Sequence, residues 1–349
     1  MDMRIGLVGC GYWGSKHLRV LHELGRGADV VIADSDRDRL ERMARVYPCV
    51  GVASDYDELL ERCRAVIIAT PPSTHYELAR RALLADRHVL VEKPFTTSSS
   101  QARELVRLAR GRGLVLMVGH TFLYSPPVRA LRAMLREGRL GRVLHLDSQR
   151  LGFGLLQPDV HVLWDLASHD IAILAYLLGQ WPRQASAWAV HHLGHRPQWE
   201  VGHAHLRFPG GASAHVHASW LCPYKVRQLT VVGSRASIVY DDTSPEPLRL
   251  CERQILLPEV NGRREWVPPN YRWGDAHLPH VPMWEPLLEE DAEFLRCIED
   301  GSPPLSDGYW GLRVVQVLEA LDRSLASGGL EVDVEEELVP LGLTGREPA

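Results

Sequence analysis

The sequence predicts a two-part α/β protein. We expect a doubly wound parallel sheet over residues 1–121 and an α+β part with a large open, mostly antiparallel sheet over residues 122–349. Up to residue 120, short apolar runs alternate with helical stretches of about ten to fifteen residues, which is typical of βαβ units. From residue 184 onward, apolar and polar residues alternate in short runs separated by turns, a pattern typical of antiparallel strands with one solvated face.

A glycine-rich turn follows the first apolar run, Ile5–Val8. Gly9, Gly11 and Gly14 stand in G-x-G-x-x-G spacing ahead of an amphipathic helix, and strand, turn and helix are the context that this motif needs. Gly9 permits the tight turn, Gly11 lets the backbone approach a pyrophosphate, and Gly14 allows the helix to pack closely on the strand. The helix start offers free N–H groups to the phosphates. The alternative is a purely structural turn, but the context favours a Rossmann dinucleotide-binding domain.

The second strand ends in an acidic residue that bears on the choice of cofactor. Asp34 follows the apolar run that ends at Ala33, where a carboxylate can accept hydrogen bonds from the ribose hydroxyls. Because the same carboxylate would repel a 2′-phosphate, we expect NAD as the cofactor. Arg37 and Arg39 follow closely and leave NADP as the less favoured alternative.

Further candidate residues follow later strands, at the sheet edge where doubly wound sheets bind ligands. Lys93 stands directly between a buried strand and Pro94, whose fixed φ restrains the backbone there. A solvated lysine paired with Glu92 is the alternative, and the loop at 70–75 could equally be an ordinary helix entry capped by Ser73 or Thr74. The cofactor contacts expected from these two segments are Thr70, Pro71, His75, Glu92 and Lys93.

Three segments resemble the glucose–fructose oxidoreductase / inositol dehydrogenase (Gfo/Idh/MocA) family. They are the opening G-x-G-x-x-G, the A-T-P-P-S-T-H of residues 69–75 and the E-K-P of residues 92–94, and the resemblance covers essentially the whole chain. It implies that Lys93 contacts both substrate and nicotinamide, and that the Lys93–Pro94 bond is often cis. We also expect cofactor contacts from Tyr12 and Trp13 in the glycine turn. Sheets in this family commonly pair face to face, which implies a homodimer or homotetramer.

A second motif, D-x-x-x-H, places Asp165 and His169 in a predicted helix. Residues four apart share a helix face, so the carboxylate is expected to orient the imidazole, although a satisfied core histidine is the alternative. The motif also resembles the family's second-domain motif. We predict that Lys93, Asp165 and His169 are catalytic. His169 would remove a hydroxyl proton during hydride transfer, Asp165 would hold His169 or a substrate hydroxyl, and Lys93 would stabilise charge on the reacting oxygen.

The substrate is less well defined by the sequence. The segment Gly119–Pro126 lacks the arginine expected near Phe122 in many sugar-oxidising members. This segment, the glycine turn and the W-D-L-A-S-H-D of residues 164–170 are similar to a subgroup that acts on nucleotide-linked sugars, while free sugars, cyclitols and aminosugar intermediates stay open. The candidate substrate contacts are His120, Tyr124, Arg150, Trp164, Asp165 and His169. For Tyr124, Arg150 and Trp164, an ordinary core or solvated position is the alternative.

The composition argues against several classes of partner. The formal net charge of the 349 residues is −5 with interspersed signs, which gives no reason to expect nucleic acid or an anionic membrane as a partner. The apolar runs are too short for a membrane span, and the N-terminus leaves no room for a signal peptide. Six scattered cysteines without a C-x-x-C pair indicate reduced thiols and a cytoplasmic location.

The predicted second sheet carries two histidine pairs at i, i+2 spacing, His203 with His205 and His215 with His217. Such pairs could build a zinc site, but a polar sheet face or a subunit contact is favoured, so we expect no metal. Residues 262–286 are expected to form a long loop. Two helices, over 287–300 and 310–327, and a final strand with a frayed tail complete the predicted chain.

These features favour an NAD-dependent dehydrogenase that oxidises a secondary hydroxyl of a sugar, nucleotide sugar or cyclitol, in a biosynthetic pathway. A redox-neutral enzyme that uses bound NAD transiently, such as an epimerase or a glycosidase, is one alternative. A sugar or dinucleotide sensor without catalysis is another. Retention of Lys93, Asp165 and His169 together argues against the sensor, since a sensor would tolerate loss of the lysine.

Overall fold

The computed structural model describes residues 3–154, 156–157, 159–193, 198–256 and 268–335. Its first sheet has six strands: β1 Ile5–Val8, β2 Val30–Ala33, β3 Gly51–Val52, β4 Ala65–Ile68, β5 His88–Glu92 and β6 Leu116–Gly119. All pairings are parallel, in the order β3-β2-β1-β4-β5-β6. The order reverses direction at β1, which is the topology of the doubly wound dinucleotide-binding fold. The predicted first sheet is confirmed.

Helices connect these strands, and most of them begin at a residue that can cap them. Asp36, Asp55 and Ser98 each accept a hydrogen bond from a backbone N–H of the first turn that follows, as N-cap residues do. The first helix begins at Tyr12, inside the glycine motif rather than after it. The five helices are α1 Tyr12–Glu23, α2 Arg37–Val46, α3 Tyr56–Arg62, α4 Pro72–Leu84 and α5 Ser99–Gly111.

The second sheet has nine strands: β7 Val143–Leu151, β8 Gln184–Val190, β9 Val201–Arg207, β10 Ser213–Ser219, β11 Val226–Gly233, β12 Ser237–Asp241, β13 Leu248–Leu256, β14 Asn270–His277 and β15 Val332–Asp333. Their order is β14-β13-β12-β11-β7-β10-β9-β8-β15. Only the central pair β7 and β10 is parallel among the described pairings. The predicted large, mostly antiparallel sheet is therefore confirmed.

The prediction of a loop over residues 262–286 is wrong in part. Residues 270–277 form the edge strand β14, which pairs with β13 only. Every residue of β14 is exposed. Tyr271 and Trp273 alternate with polar residues over only the first half of the strand. With no buried face to extend this short run, it does not stand out from the surrounding Pro- and Trp-rich segment. Residues 262–267 of the predicted loop, and residues 336–349 of the predicted tail, lie outside the described residues.

Helices cover one face of the second sheet and link it to the first. A single turn of 3-10 helix at Thr121–Tyr124 leads into α6 Pro126–Arg136, and a π-helical turn at Leu163–Ala167 runs directly into α7 Ser168–Leu178. The last helices are α8 Pro286–Asp300 and α9 Gly308–Ala326. None of the described helices has the length and apolar character needed to cross a bilayer.

The C-terminal helices pack back onto the first sheet. The backbone N–H of Val118 in β6 donates to Ser306 O at 2.8 Å, and the N–H of Ser99 at the start of α5 donates to the Glu319 carboxylate of α9 at 2.8 Å. The two sheets share one continuous hydrophobic core. The carboxyl edge of the first sheet therefore faces residues of the second part across a common boundary.

Candidate active site

A cleft of about 910 Å³ runs along the carboxyl edge of the first sheet. The glycine turn, the end of β2 and the loop after β4 form one side. Lys93 and Pro94 form its inner end, and Gln157 and Asp165 approach from the second part. The cleft thus lies where the strand order reverses, at the position at which doubly wound sheets hold dinucleotides.

The backbone of the glycine turn leaves room for a phosphate group. Gly9 has φ of +89°, and a Cβ on Gly14 would lie 1.7 Å from Gly9 O, so both positions require glycine. A Cβ on Gly11 would meet only the Arg39 guanidinium, at 3.8 Å. No side chain caps the start of α1, which leaves its first N–H groups free to face an anion. These residues fit the pyrophosphate of a dinucleotide.

Asp34 lies at the end of β2 on the cleft wall, as predicted. One carboxylate oxygen accepts from the Cys10 N–H at 2.6 Å and the other from the Asp36 N–H at 2.8 Å. Arg39 Nη1 is 3.6 Å from the same carboxylate. The acid expected to favour NAD is thus paired with an arginine that also borders the cleft.

Of the other predicted cofactor contacts, Tyr12, Trp13, Thr70 and Pro71 line the cleft. His75 does not. Its side chain is fully buried, with Nδ1 at 2.9 Å from Pro94 O and Nε2 at 2.9 Å from Thr70 O. Burial lowers the pKa of His75, so the neutral ring donates to one of these two carbonyls. His75 thus connects the loop after β4 to the loop after β5 and does not line the cleft.

Lys93 points into the boundary between the two parts of the molecule. Its ammonium donates to Asp165 Oδ1 at 2.9 Å and to Asp165 O at 2.8 Å, and its side chain is 8% exposed. The Lys93–Pro94 peptide bond is cis, as the family resemblance implied. Trp220, directly after β10, donates its indole N–H to Asp165 Oδ2 at 3.0 Å. The carboxylate of Asp165 is therefore occupied by Lys93 and Trp220.

The expected pairing of Asp165 with His169 is absent among the described hydrogen bonds. The helix that carries both residues begins as a π-helical turn over Leu163–Ala167, and its wider i to i+5 bonding breaks the four-residue spacing rule. The His169 ring instead meets the Phe122 ring edge-on, with centroids 4.9 Å apart. Burial, followed by the charges of Lys93 and Arg150, holds the pKa of His169 well below its usual value. His169 is neutral at pH 7.

His120 lies at the end of β6, beneath the same region. It is 2% exposed, and neither ring nitrogen has a partner among the described residues. Burial, with a smaller contribution from the charge of Lys93, lowers the pKa of His120 to about 3. A buried neutral imidazole with both nitrogens unsatisfied is rare and marks a place where a ligand or ordered water would be bound favourably.

Residues 3–120 match the model of an oxidoreductase family with an NAD-binding Rossmann fold, and residues 128–239 match the model of the GFO/IDH/MocA C-terminal domain. The chain belongs to the Gfo/Idh/MocA family. It is an oxidoreductase built on an NAD-binding Rossmann domain, and the resemblance seen in its sequence motifs is confirmed.

Two known proteins illustrate the similarity. The UDP-N-acetylglucosamine 3-dehydrogenase of Acidithiobacillus ferrooxidans is 30% identical over 90% of this chain and 95% of its own. Its solved structure superposes with a TM-score of 0.78 at 25% identity, covering 93% of this chain and 98% of that one. The WlbA dehydrogenase of Bordetella pertussis, solved with NADH and UDP-GlcNAcA, shares the fold with a TM-score of 0.78 at 19% identity, covering 97% and 100% of the two chains.

Several substrate contacts predicted for this Gfo/Idh/MocA chain are engaged in internal contacts and do not line the cleft. Tyr124 is fully buried with its hydroxyl 3.3 Å from Ser306 Oγ, and the Trp164 indole N–H donates to Asp322 at 2.9 Å. Arg150 is buried in a two-point ion pair with Asp170, at 3.0 and 3.1 Å. The Arg150 guanidinium nevertheless stacks over Phe122, 4.4 Å from the ring centroid. The same Phe122 ring also contacts the His169 ring.

Four further cleft residues were not singled out by sequence reasoning. Ser54, Asp55, Tyr56 and Gln157 all line the cleft. The segment from Ser54 to Tyr56 follows β3, a strand of only two residues that leaves no apolar run to mark it. The sequence around Trp220 likewise contains no motif that would indicate its hydrogen bond to Asp165.

The histidine pairs of the second sheet share its outer face. His203 is paired across the strands with His217, and His205 with His215. The rings of His203 and His217 stack with centroids 4.1 Å apart. Within the described ranges, no group of three or more His, Cys, Asp or Glu side chains has the geometry to hold a metal ion. All six cysteines are unpaired thiols.

Proposed function

We propose that the protein is an NAD-dependent dehydrogenase that oxidises a secondary hydroxyl group of a sugar, nucleotide sugar or cyclitol. The observation that carries the proposal is the position of Lys93. Its buried ammonium ends the dinucleotide cleft beside two neutral imidazoles, His169 and His120. The relatives named as sugar dehydrogenases support this class of substrate.

The residues of the chain would divide the chemistry among them. Gly9, Gly11, Gly14 and Asp34 would hold the dinucleotide, which when bound supplies the hydride acceptor. Lys93 would donate a hydrogen bond to the reacting oxygen and stabilise its developing negative charge. His169 would take the hydroxyl proton, since only a neutral imidazole can act as a base.

Asp165 would act on Lys93 and not on His169. Its contact with the ammonium at 2.9 Å fixes the direction of a side chain that otherwise has four rotatable bonds. The second carboxylate oxygen, held by Trp220 at 3.0 Å, keeps Asp165 in place when a substrate hydroxyl competes for Lys93. This arrangement orients the lysine before substrate binds.

The choice of NAD over NADP rests on Asp34. Its carboxylate on the cleft wall would accept from the ribose hydroxyls and oppose a 2′-phosphate. The Arg39 guanidinium lies 3.6 Å from the Asp34 carboxylate and would attract a 2′-phosphate. Its positive charge, however, is already paired with the carboxylates of Asp34 and Asp36. The balance of charges therefore favours NAD.

We further propose a division into domains at residue 121, a cytoplasmic location, a role in biosynthesis and a homodimer or homotetramer formed through the second sheet. The outer face of that sheet supports the assembly. It carries stacked histidines and Trp188, which is 58% exposed and lies against His203. A second copy would cover this large aromatic face.

The proposal is tested by mixing the purified protein with NAD or NADP and a panel of nucleotide sugars, sugars and cyclitols, and following nicotinamide absorbance. We expect reduction of NAD with one substrate class. Lys93→Ala and His169→Ala should each lower kcat by about 100-fold or more. His277→Ala, on the exposed edge strand β14, is the matched histidine control and should retain full activity.

Two outcomes would contradict the proposal. Turnover without net reduction of the cofactor would favour the redox-neutral enzyme. Unimpaired turnover in Lys93→Ala would show that the lysine is not part of the catalytic site.

A further inference from the structure

A buried polar cluster lies behind the cleft, where three distant segments of the chain meet. His17 belongs to α1, Glu92 ends β5 and Asp291 belongs to α8. The side chains of His17 and Asp291 are fully buried, and Glu92 is 4% exposed. Neither His17 nor Asp291 has a part in the function proposed above.

The contacts within the cluster favour a charged histidine. His17 Nδ1 is 2.8 and 3.1 Å from the two oxygens of Asp291, and His17 Nε2 is 3.3 Å from Glu92 Oε1. An ionised carboxylate only accepts hydrogen bonds, so with Asp291 and Glu92 ionised both ring nitrogens carry protons. Burial raises the pKa of Asp291, and the charge of His17 opposes that rise. Burial disfavours the imidazolium, but the two carboxylates outweigh it and raise the pKa of His17 well above its usual value.

The cluster connects directly to the backbone of Lys93. While Glu92 Oε1 faces His17, Glu92 Oε2 accepts the Lys93 N–H at 3.0 Å. One carboxylate therefore links the imidazolium to the residue whose ammonium ends the cleft. Rotation of the Glu92 side chain away from His17 would break the bond to the Lys93 backbone as well.

The charges around the cluster explain why His17 must be a cation. Glu92, Asp291 and Glu290 bring three carboxyl groups into the same buried region. Burial and the Glu92 charge raise the pKa of Glu290 well above its usual value, so Glu290 is neutral and accepts from Thr121 Oγ1 at 2.7 Å. Glu92 and Asp291 depend on His17, because a buried carboxylate without a partner is strongly destabilising.

We propose that His17 is a positioning residue for Lys93, an inference that rests on the proposed function. The His17 imidazolium, held by Asp291, fixes the Glu92 carboxylate against the Lys93 N–H and so sets where the lysine leaves β5. The same ring ties α1, whose first turn borders the cofactor cleft, to α8. His17 does not touch substrate or cofactor and acts through Glu92.

The test compares His17→Gln and Asp291→Asn with Ser324→Ala in the full chain. Ser324 is a matched control, because it is fully buried in α9 and its hydroxyl bonds Leu330 O and the Ala187 N–H, neither of which belongs to the cluster. We expect kcat to fall about 10- to 100-fold in both cluster variants, the loss typical of a displaced catalytic group. The dissociation constant for NAD, measured by tryptophan fluorescence, should change by a smaller factor than kcat, because the glycine turn and the loop after β4 keep their own cofactor contacts.

Hydrogen exchange gives a measurement that does not depend on activity. Exchange of the Lys93 amide, followed by mass spectrometry, should be faster in His17→Gln and Asp291→Asn than in the parent protein. A merely structural residue, like Ser324, would lower the melting temperature and leave both kcat and Lys93 exchange unchanged. If His17→Gln does not fold, the double variant with Asp291→Asn, which removes both charges, provides the same measurements.

Two results separate this inference from the proposed function. A folded cluster variant with parental kcat and parental Lys93 exchange would overturn the positioning role. If the parent protein reduces neither cofactor with any substrate, the proposed function fails, and the exchange rate of the Lys93 amide still decides whether His17 holds the lysine backbone.

Discussion

Lys93 and His169 illustrate how single residues acquire their chemistry from distant neighbours. The Lys93 ammonium is fixed by Asp165, and Asp165 is fixed in turn by Trp220, 55 residues further along the chain. His169 has no such partner among the described residues, and its state is set by burial and surrounding positive charge. A hydrogen-bond donor held in a fixed direction and a neutral imidazole are the complementary groups that hydroxyl oxidation requires.

The depressed pKa of His169 predicts the acid side of the pH profile. A lowered pKa means that the neutral base persists as the pH falls below 6.5 and is lost only as the pH falls through the lowered value. We therefore expect that titration of His169 does not change kcat/KM between about pH 6.5 and 8. Steady-state rates in buffers of constant ionic strength measure this, and a loss of activity centred near pH 7 would contradict it.

A variant of Arg227 sharpens that test. The guanidinium of Arg227 contributes to the positive field that lowers the pKa of His169. Arg227→Gln should move the acid limb toward higher pH, while Arg249→Gln, at an exposed position of β13, should leave it in place. An unmoved limb in Arg227→Gln would show that another group titrates there.

At the scale of elements, the glycine turn and α1 act as one unit. Their packing is so close that a Cβ on Gly14 would lie 1.7 Å from Gly9 O, whereas a Cβ on Gly111 at the end of α5 would meet no atom within 4 Å. The turn, the start of α1 and the phosphate-binding N–H groups therefore depend on one contact between two backbones.

Gly14→Ala should consequently weaken cofactor binding by at least about tenfold and lower the melting temperature, because backbone atoms must move apart. Gly111→Ala is the control. It should leave binding unchanged and hold or raise the melting temperature, since alanine favours the helix. Fluorescence titration with NAD and thermal unfolding measure both. Unchanged affinity in Gly14→Ala would contradict the assignment of this turn to the cofactor.

At the scale of the whole molecule, the second sheet has two unlike faces. The inner face packs against α9 and the other helices, and the outer face carries His203, His215, His217 and Trp188 around ring contacts between neighbouring strands. Large aromatic surfaces rimmed by polar groups are typical of subunit contacts. The proposed assembly therefore places this face between copies of the chain.

Trp188→Glu should shift the protein from dimer or tetramer toward monomer, because it would bury an unpaired charge in the contact. Trp273→Glu is the matched control, since Trp273 is 73% exposed on the edge strand β14. Light scattering coupled to size-exclusion chromatography reports the mass. A monomeric parent protein, or a Trp188→Glu variant with the parental mass, would refute the assembly through this face.

Local patterns in the chain were enough to predict both sheets, the glycine turn, the acid after β2 and the lysine after β5. Each of these depends on neighbours within a few residues, and strand ends of a parallel sheet meet at one edge by geometry. The same patterns predicted more ligand contacts than the cleft has. His75, Tyr124 and Trp164 have the right chemistry for ligand contacts, but they are buried and bonded to the protein itself.

The sequence by itself determined the family, the Rossmann sheet and the local identity of the candidate catalytic groups, because glycine spacing and strand-end residues are short-range properties. Only the tertiary structure decided that Asp165 pairs with Lys93 instead of His169, and that His17 meets Asp291 across 274 residues. Such pairings arise where separate elements pack together. A π-helical turn and a buried ion pair change which side chains meet without leaving a repeating pattern in the chain.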